Sequence, residues 1–387
     1  MKPSLVQRIL VVVISSTTSL LATAQTSDLN VVTSAVPFLR ISPDARAGGM
    51  GDVGIATNPD ANSSFWNLAK TPFASAKSGV SVTYTPWLKD LGLNDVYLAS
   101  ASGYYKIDDA QAISSSLRYF SLGNIEFTDF AGNTLNSFRP RELGIDVGYS
   151  RKLNEKLSLG VALRYISSSL ANGTYGGVTY KTGNAISGDI SLYHDGNGKD
   201  GQGLSYGVVL SNLGSKIGYT NDANSKDYIP ANLGIGVAYT SVFDESNRIT
   251  FGLDINRLLV PTPPLATGNT STDSASLASY RNKSVISSYF SSFGDAGGFG
   301  NELKKFQVSV GAEYIYNEQF AVRAGYFYEN VSQGNRKYFT FGAGLKYNVI
   351  GINLSYLVPS GQGITRNPLS NTLRFGITFD LDGNKGN

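Results

Sequence analysis

The sequence predicts an all-β chain: a 14-stranded antiparallel transmembrane β-barrel with an N-terminal plug in its lumen. Three observations carry that reading. From residue 79 onward hydrophobicity alternates with period 2, the signature of strands with one apolar and one polar face. The connections between the alternating segments sort by parity, short turns taking turns with long loops, with the short 1–2 and 11–12 connections as exceptions. Charged residues make up only 16% of the chain, against roughly 25% in soluble domains. Gly (43), Tyr (23) and Phe (19) are abundant, yet no segment after the leader approaches the ~20 apolar residues of a membrane-spanning helix. Outer-membrane barrels combine these properties. A secreted β-sandwich or propeller, the competing all-β architecture, has no reason to sort its loops by parity.

In chain order, residues 1–24 read as a signal peptide. Lys2 and Arg8 give a positive start, an apolar run follows from Ile9, and Ala22-Thr23-Ala24 is a small-x-small cleavage site. Its removal takes away two positive charges and lowers the formal net charge from +3 to +1, which leaves no electrostatic footprint for nucleic acid. The absence of cysteine excludes disulfides, thiolate metal sites and a cysteine-borne lipid anchor. No cofactor is expected.

Residues 25–78 form the N-terminal segment, and 36–73 within it have no sustained period of 2 or 3.6. That stretch is rich in Gly, Asn, Asp and Ala, with Pro37, Pro43, Pro59 and Pro72 spread through it, so it reads as irregular structure and short helical turns. Placed inside the barrel it becomes a plug, with Arg40, Asp44, Arg46, Gly48, Gly49, Gly51, Asp52, Trp66 and Asn67 as its candidate functional residues. GMGDVG, at Gly49, Gly51 and Gly54, matches the dinucleotide-binding spacing but lacks the flanking strand and helix which that motif needs. Its glycines instead suit close packing on a barrel wall.

The barrel is assigned to residues 79–381, followed by a periplasmic tail at 382–387. Fourteen alternating segments lie near 79–87, 92–106, 110–122, 141–151, 156–168, 186–195, 204–213, 230–242, 247–259, 304–316, 319–329, 336–348, 350–358 and 370–381. In KFQVSVGAEYIY, for example, Phe306, Val308, Val310, Ala312, Tyr314 and Tyr316 oppose Gln307, Ser309, Gly311 and Glu313. The apolar face belongs against outer-membrane lipid and the small or polar face lines the lumen. Short periplasmic turns and long outer loops put both termini in the periplasm. The luminal charges balance, Arg118, Arg164, Arg323, Lys346 and Arg374 against Glu142, Asp146, Asp189, Asp254 and Glu313. Such an interior fits pairing with a plug, a water-filled lumen being the alternative; a selective ion pore would carry a one-sided ring.

Two further features bear on chemistry. GLSYG, residues 203–207, has the spacing of a hydrolase nucleophile elbow, but Ser205 starts an alternating strand, and the chain's one histidine, His194, precedes it where the hydrolase order puts histidine last. No catalytic residue is assigned and a non-enzymatic role is expected. The loop at 260–303 carries Tyr280, Ile286, Tyr289, Phe290, Phe293 and Phe299 among Ser and Gly, which marks either a partner-binding surface or a lid folded over the barrel mouth.

A 14-stranded barrel with a Gly- and Asn-rich plug resembles the FadL-like transporters. FLRISPDARAGGMGDVGIAT at 38–57 and NSSFWNLAK at 62–70 resemble more specifically the PorV family, with its PorQ paralogues, of the type IX secretion system of Bacteroidota. The resemblance implies a non-enzymatic outer-membrane protein that binds the C-terminal signal domains of cargo proteins at an SprA-type translocon barrel. It also implies transfer of that cargo to the proteins of the surface attachment complex. The alternatives it leaves are a FadL-type transporter of hydrophobic small molecules and a lipopolysaccharide deacylase.

Overall fold

Alternation sets the wall. In β1 (Ser78–Pro86) the side chains of Val80, Val82 and Tyr84 are exposed outward while Ser81, Thr83 and Thr85 are buried inward. The same division recurs around the molecule in a computed structural model that describes residues 31–89, 92–128, 131–175, 177–222, 225–360 and 372–381. The following strands are β2 (Val96–Lys106), β3 (Gln111–Leu122), β4 (Arg141–Lys152), β5 (Leu157–Ser169), β6 (Gly183–His194) and β7 (Gly203–Gly214). The second half comprises β8 (Asn232–Val242), β9 (Asn247–Leu258), β10 (Phe306–Tyr316), β11 (Phe320–Tyr328), β12 (Lys337–Tyr347), β13 (Ile350–Pro359) and β14 (Leu373–Leu381).

Each strand pairs antiparallel with its neighbour in sequence, and β14 returns to β1 in the register Ser78↔Leu381 through Tyr84↔Phe375. The result is a closed barrel of 14 strands, so no edge is left unpaired, as a wall in hydrocarbon requires. Strands of 9 to 13 residues span a bilayer when tilted. Each of the fourteen expected segments corresponds to one wall strand; the largest boundary differences are at β2, which starts at Val96 rather than 92, and at β6 and β14, which start at 183 and 373 rather than 186 and 370.

Ser78 and Leu381 mark the short-turn end. At the other end two-stranded ribbons extend three loops: Ile125–Thr128 with Thr134–Phe138, Gly173–Tyr175 with Val178–Tyr180, and Ile217–Gly218 with Lys226–Asp227. The loop between β9 and β10 is partly helical, which alternation alone did not indicate.

The N-terminal segment runs through the lumen from one end to the other. Val36, Phe38 and Leu39 pack on Val96, Leu98 and Phe120 at the long-loop end. Phe38 stacks on Phe120 with ring centroids 6.5 Å apart. Two single-turn helices follow, α1 (Ala45–Gly48) and α2 (Ser63–Trp66). The segment leaves at the short-turn end, where Lys106 Nζ donates to Ala74 O at 3.0 Å just before β1. Leu381 sits at the short-turn end, but residues 35–39 sit at the long-loop end, because the segment must cross the whole lumen to enter β1. The expected signal peptide at 1–24 and the tail at 382–387 lie outside the described residues.

Halfway along, glycine meets glycine. A Cβ on Gly49 would lie 2.9 Å from the Cα of Gly342, and Gly311 and Gly325 face the Met50 backbone in the same way. Gly51 adopts φ +72°, and a Cβ there would meet the Tyr326 nitrogen at 2.6 Å. Side chains on either surface would hold the two backbones apart, which is why GMG faces a glycine band in β10, β11 and β12. In folded barrels residues 37–73 are therefore expected to resist protease. Gly51→Val should make them cleavable while β-sheet content by circular dichroism stays unchanged; rapid cleavage of the wild type would contradict this packing.

Candidate functional site

The plug is joined to the wall by charge. Glu313 on β10 and Arg323 on β11 are cross-strand partners, and Arg323 Nε donates to Glu313 at 2.7 Å. Arg46 in α1 reaches the same carboxylate with two parallel bonds, Nη2 at 2.7 Å and Nε at 2.9 Å. Its Nη1 donates to Asp60 and to Asn58 O, each at 3.0 Å. Two guanidiniums thus share one buried carboxylate, with a second carboxylate balancing the group. Bidentate guanidinium–carboxylate pairing fixes orientation as well as distance.

The other expected plug residues lie along the same contact. Asp44 caps α1 by accepting from Arg46 N at 2.8 Å, and also accepts from Asn62 Nδ2 at 3.2 Å and Trp66 Nε1 at 3.0 Å. Asp52 takes the Tyr338 hydroxyl at 2.8 Å and pairs with Arg374, whose side chain also lies against Gly48. Asn67 Nδ2 bridges Ile55 O and Leu192 O, both at 3.1 Å. Arg40 donates to Gln307 at 2.7 Å. On the wall, Arg118, Asp146, Arg164 and Asp189 form a chain of ion pairs at 2.8, 3.0 and 2.7 Å. Asp254 accepts the backbone N–H groups of Gly54 and Ile55 at 2.7 and 2.9 Å.

Two residues counted as luminal charges behave differently. Lys346 pairs with Asp380 at the short-turn rim and its side chain is 46% exposed, because it is the penultimate residue of β12. Glu142 is buried, and its partner among the described residues is a hydroxyl, Ser168 at 2.8 Å. Two plug residues were missed: Asp60, and Lys70, which is buried with its Nζ on Gly54 O at 2.6 Å.

The plug leaves little open space at the barrel centre. The cavity there measures about 80 Å³ and is lined by charged and amide groups, among them Arg40, Arg118, Arg164, Asp189 and Asn232. Wider clefts of about 440 Å³ at the short-turn end and about 410 and 460 Å³ at the long-loop end open to the two sides.

The β9–β10 loop contains α3 (Thr270–Asn282), α4 (Val285–Ser291) and α5 (Phe299–Leu303). Asn269 caps α3 by accepting from Ser271 and Thr272 N–H, and Arg281 falls in its last turn, the sequence signal that could have revealed this helix. The loop is locked by Arg257 at the end of β9, which faces outward opposite Phe306. Its guanidinium lies between the Phe293 and Phe306 rings, 4.6 and 5.0 Å from their centroids, and donates to Glu302 and to Ser292 O. Lys305 pairs with Asp295, which also accepts from Thr262 N at 2.8 Å. Partial burial opposes ionisation of Asp295, but Lys305 and Thr262 together hold its carboxyl below the ordinary range.

The six loop residues divide into two groups. Tyr280 packs edge-on against Tyr228 at 5.4 Å, the Tyr289 hydroxyl accepts from Gly214 N at 2.9 Å, and Phe293 covers Arg257, so these three tie the loop to the barrel. Ile286, Phe290 and Phe299 are 70, 76 and 79% exposed. Ile286 and Phe290 sit four residues apart on one face of α4. Three of the six thus face the barrel and three face away from it.

The motif at 203–207 is not assembled into a triad. His194 stacks on Tyr206 with centroids 4.5 Å apart, while Ser205, the next residue along the strand, points to the opposite face and accepts from Gly196 N. The triplet Ser205, His194 and Asp195 does not converge.

The family model described as type IX secretion system protein PorV matches residues 24–265. No curated protein matches the chain. Among solved structures, the chain is similar to the toluene transporter TbuX of Ralstonia pickettii, with 12% identity, 91% of this chain and 97% of that chain covered, and a TM-score of 0.49. It is also similar to the toluene transporter TodX of Pseudomonas putida, with 14% identity, 86% and 95% coverage and a TM-score of 0.47. A Pseudomonas aeruginosa FadL homologue matches with 10% identity, 88% and 98% coverage and a TM-score of 0.46.

Breaking one member of a buried ion group leaves its partners uncompensated, at a cost of about 3–5 kcal/mol. Glu313→Ala strands both Arg46 and Arg323 and should lower stability by that order in equilibrium unfolding from detergent. A loss below about 1 kcal/mol, the range of exposed pairs, would show that the group does not anchor the plug.

Proposed function

The chain belongs to the PorV family, and on that premise we propose that it works as a binding platform for exported proteins rather than as a conduit or an enzyme. It is an integral outer-membrane β-barrel component of the type IX secretion system. In the proposed role the short-turn end and the C-terminus face the periplasm and the long-loop end faces outward. There the protein binds the C-terminal signal domain of cargo as it leaves an SprA-type translocon barrel. It then carries the cargo to the attachment-complex proteins.

The observation that carries this reading is the set of exposed apolar side chains Ile286, Phe290 and Phe299 on a loop that Arg257 ties to the end of β9. Aromatic and aliphatic side chains presented on a fixed support are what a protein interface uses as anchors. Because Arg257 and Phe306 face outward from the barrel, the loop leans over the outer rim, where a neighbouring barrel and its cargo would stand. A transporter of hydrophobic molecules fits less well. Ligand pockets measure about 300–1,000 Å³ and are mostly apolar, whereas the central cavity is about 80 Å³ and mixes Arg40, Arg118, Arg164 and Asp189 with Leu39, Ile55 and Trp66. A deacylase reading lacks a converging Ser205–His194 pair.

The triple variant Ile286→Asp, Phe290→Asp, Phe299→Asp removes these side chains and spares Tyr280, Tyr289, Phe293 and Arg257. It should assemble normally yet lose co-purification with a cargo C-terminal domain, by at least roughly tenfold in affinity if two of the three are anchors. Undiminished recovery of cargo would remove these residues from the interface.

A further inference from the structure

Most buried carboxylates of the barrel interior have an obvious partner. Asp146, Asp189, Glu313 and Glu329 each face a guanidinium, and Asp254 takes two backbone N–H groups. Glu142 is the exception. It lies one residue inside the long-loop rim on β4, between Phe120 on β3 and Ser168 on β5 in register, and it is 2% exposed. Its one hydrogen-bond partner among the described residues is the Ser168 hydroxyl, which the Tyr219 hydroxyl supports at 3.0 Å. An ionised carboxylate offers about four acceptor positions, and burying one without a counter-charge is costly.

Glu142 also lines the cleft of about 460 Å³ at the long-loop end. Besides Thr33 and Ser34, the walls are largely apolar or aromatic: Val36 and Pro37 from the plug, with Phe120, Leu122 and Tyr219 from the barrel and its loops. The other acid at this cleft, Asp227, is paired with Arg281 at 3.2 Å. The cleft is thus lined largely by apolar and aromatic groups, together with a carboxylate that has no counter-charge among the described residues. A carboxylate favours a cation and the faces of aromatic rings favour an ammonium, while the apolar walls favour an alkyl stem.

We propose that this cleft is a binding site for a primary alkylammonium group, with Glu142 as its counter-charge and Phe120 and Tyr219 flanking the stem. The inference does not rest on the secretion role. The ammonium could come from a lysine side chain of a docking polypeptide or from a free amine, and the experiment separates these sources. The full chain, purified in detergent, is titrated with three probes: n-butylammonium, Nα-acetyl-lysine N-methylamide, and the uncharged norleucine counterpart of the latter. The first two should bind and the third should not. Glu142→Gln, which keeps the shape and the Ser168 contact, should weaken both by roughly tenfold or more, about 1.4 kcal/mol per decade. Binding of butylammonium alone would assign the site to free amines. Absence of any binding up to ~10 mM, or equal binding by Glu142→Gln, would overturn the proposal. Should Glu142→Gln not assemble, Tyr219→Ala leaves the acid in place and removes one ring; weaker ammonium binding is then expected, and unchanged binding to it overturns the site.

Discussion

Arg46 holds the molecule together. It extends from a single-turn helix too short to be stable alone, yet it closes two parallel bonds on Glu313 of the wall and a third on Asp60 of the plug. A barrel of this size cannot fill its interior with its own small inward side chains, so something must satisfy the charges on β10 and β11. The plug supplies a guanidinium to a wall carboxylate at Glu313 and a carboxylate to a wall guanidinium at Arg374. With those pairs made, the plug backbone at Met50 and Gly51 comes down onto the glycine band of β10, β11 and β12. Electrostatic pairing and steric fit therefore depend on the same alignment, and neither survives a shift of one residue in the plug.

Much of the wall was legible because period 2 is a local property of a strand. Val80, Val82 and Tyr84 against Ser81, Thr83 and Thr85 state which way β1 faces without knowledge of its neighbours. The plug was legible as an interruption of that period, and its glycines as contact surfaces, but its direction was not. Whether Phe38 lies at one end of the lumen or the other depends on packing against Val96 and Phe120, residues separated from it by more than fifty positions. Glu142 and Lys346 were counted as inward charges, but their partners could not be assigned, since pairing depends on depth in the barrel, which alternation does not encode. Arg257 was missed for a related reason. It occupies an outward position where lipid would be expected, and only the return of Phe293, Ser292 and Glu302 over the rim gives it partners.

These features divide the labour of the chain. Charge and close backbone packing fill the middle of the barrel, leaving about 80 Å³ of polar space. The surfaces free to meet other molecules then lie at the ends. At the long-loop end they are of two kinds, exposed apolar side chains on α4 and α5, and the clefts bordered by the first described residues of the plug. Membership of the PorV family places these surfaces on a component of the type IX secretion system. A filled barrel makes no hole of its own in the outer membrane.

The claim that the barrel is filled and acts through its rim is tested most directly by conductance. The purified protein, reconstituted into planar lipid bilayers, should give no stepwise ohmic openings under an applied potential. The same preparation of Glu313→Ala, with its plug unseated, should give them. Stable openings from the wild-type protein would contradict the account, because they would require a continuous aqueous path through the lumen that Arg46, Glu313 and the glycine band are here held to close.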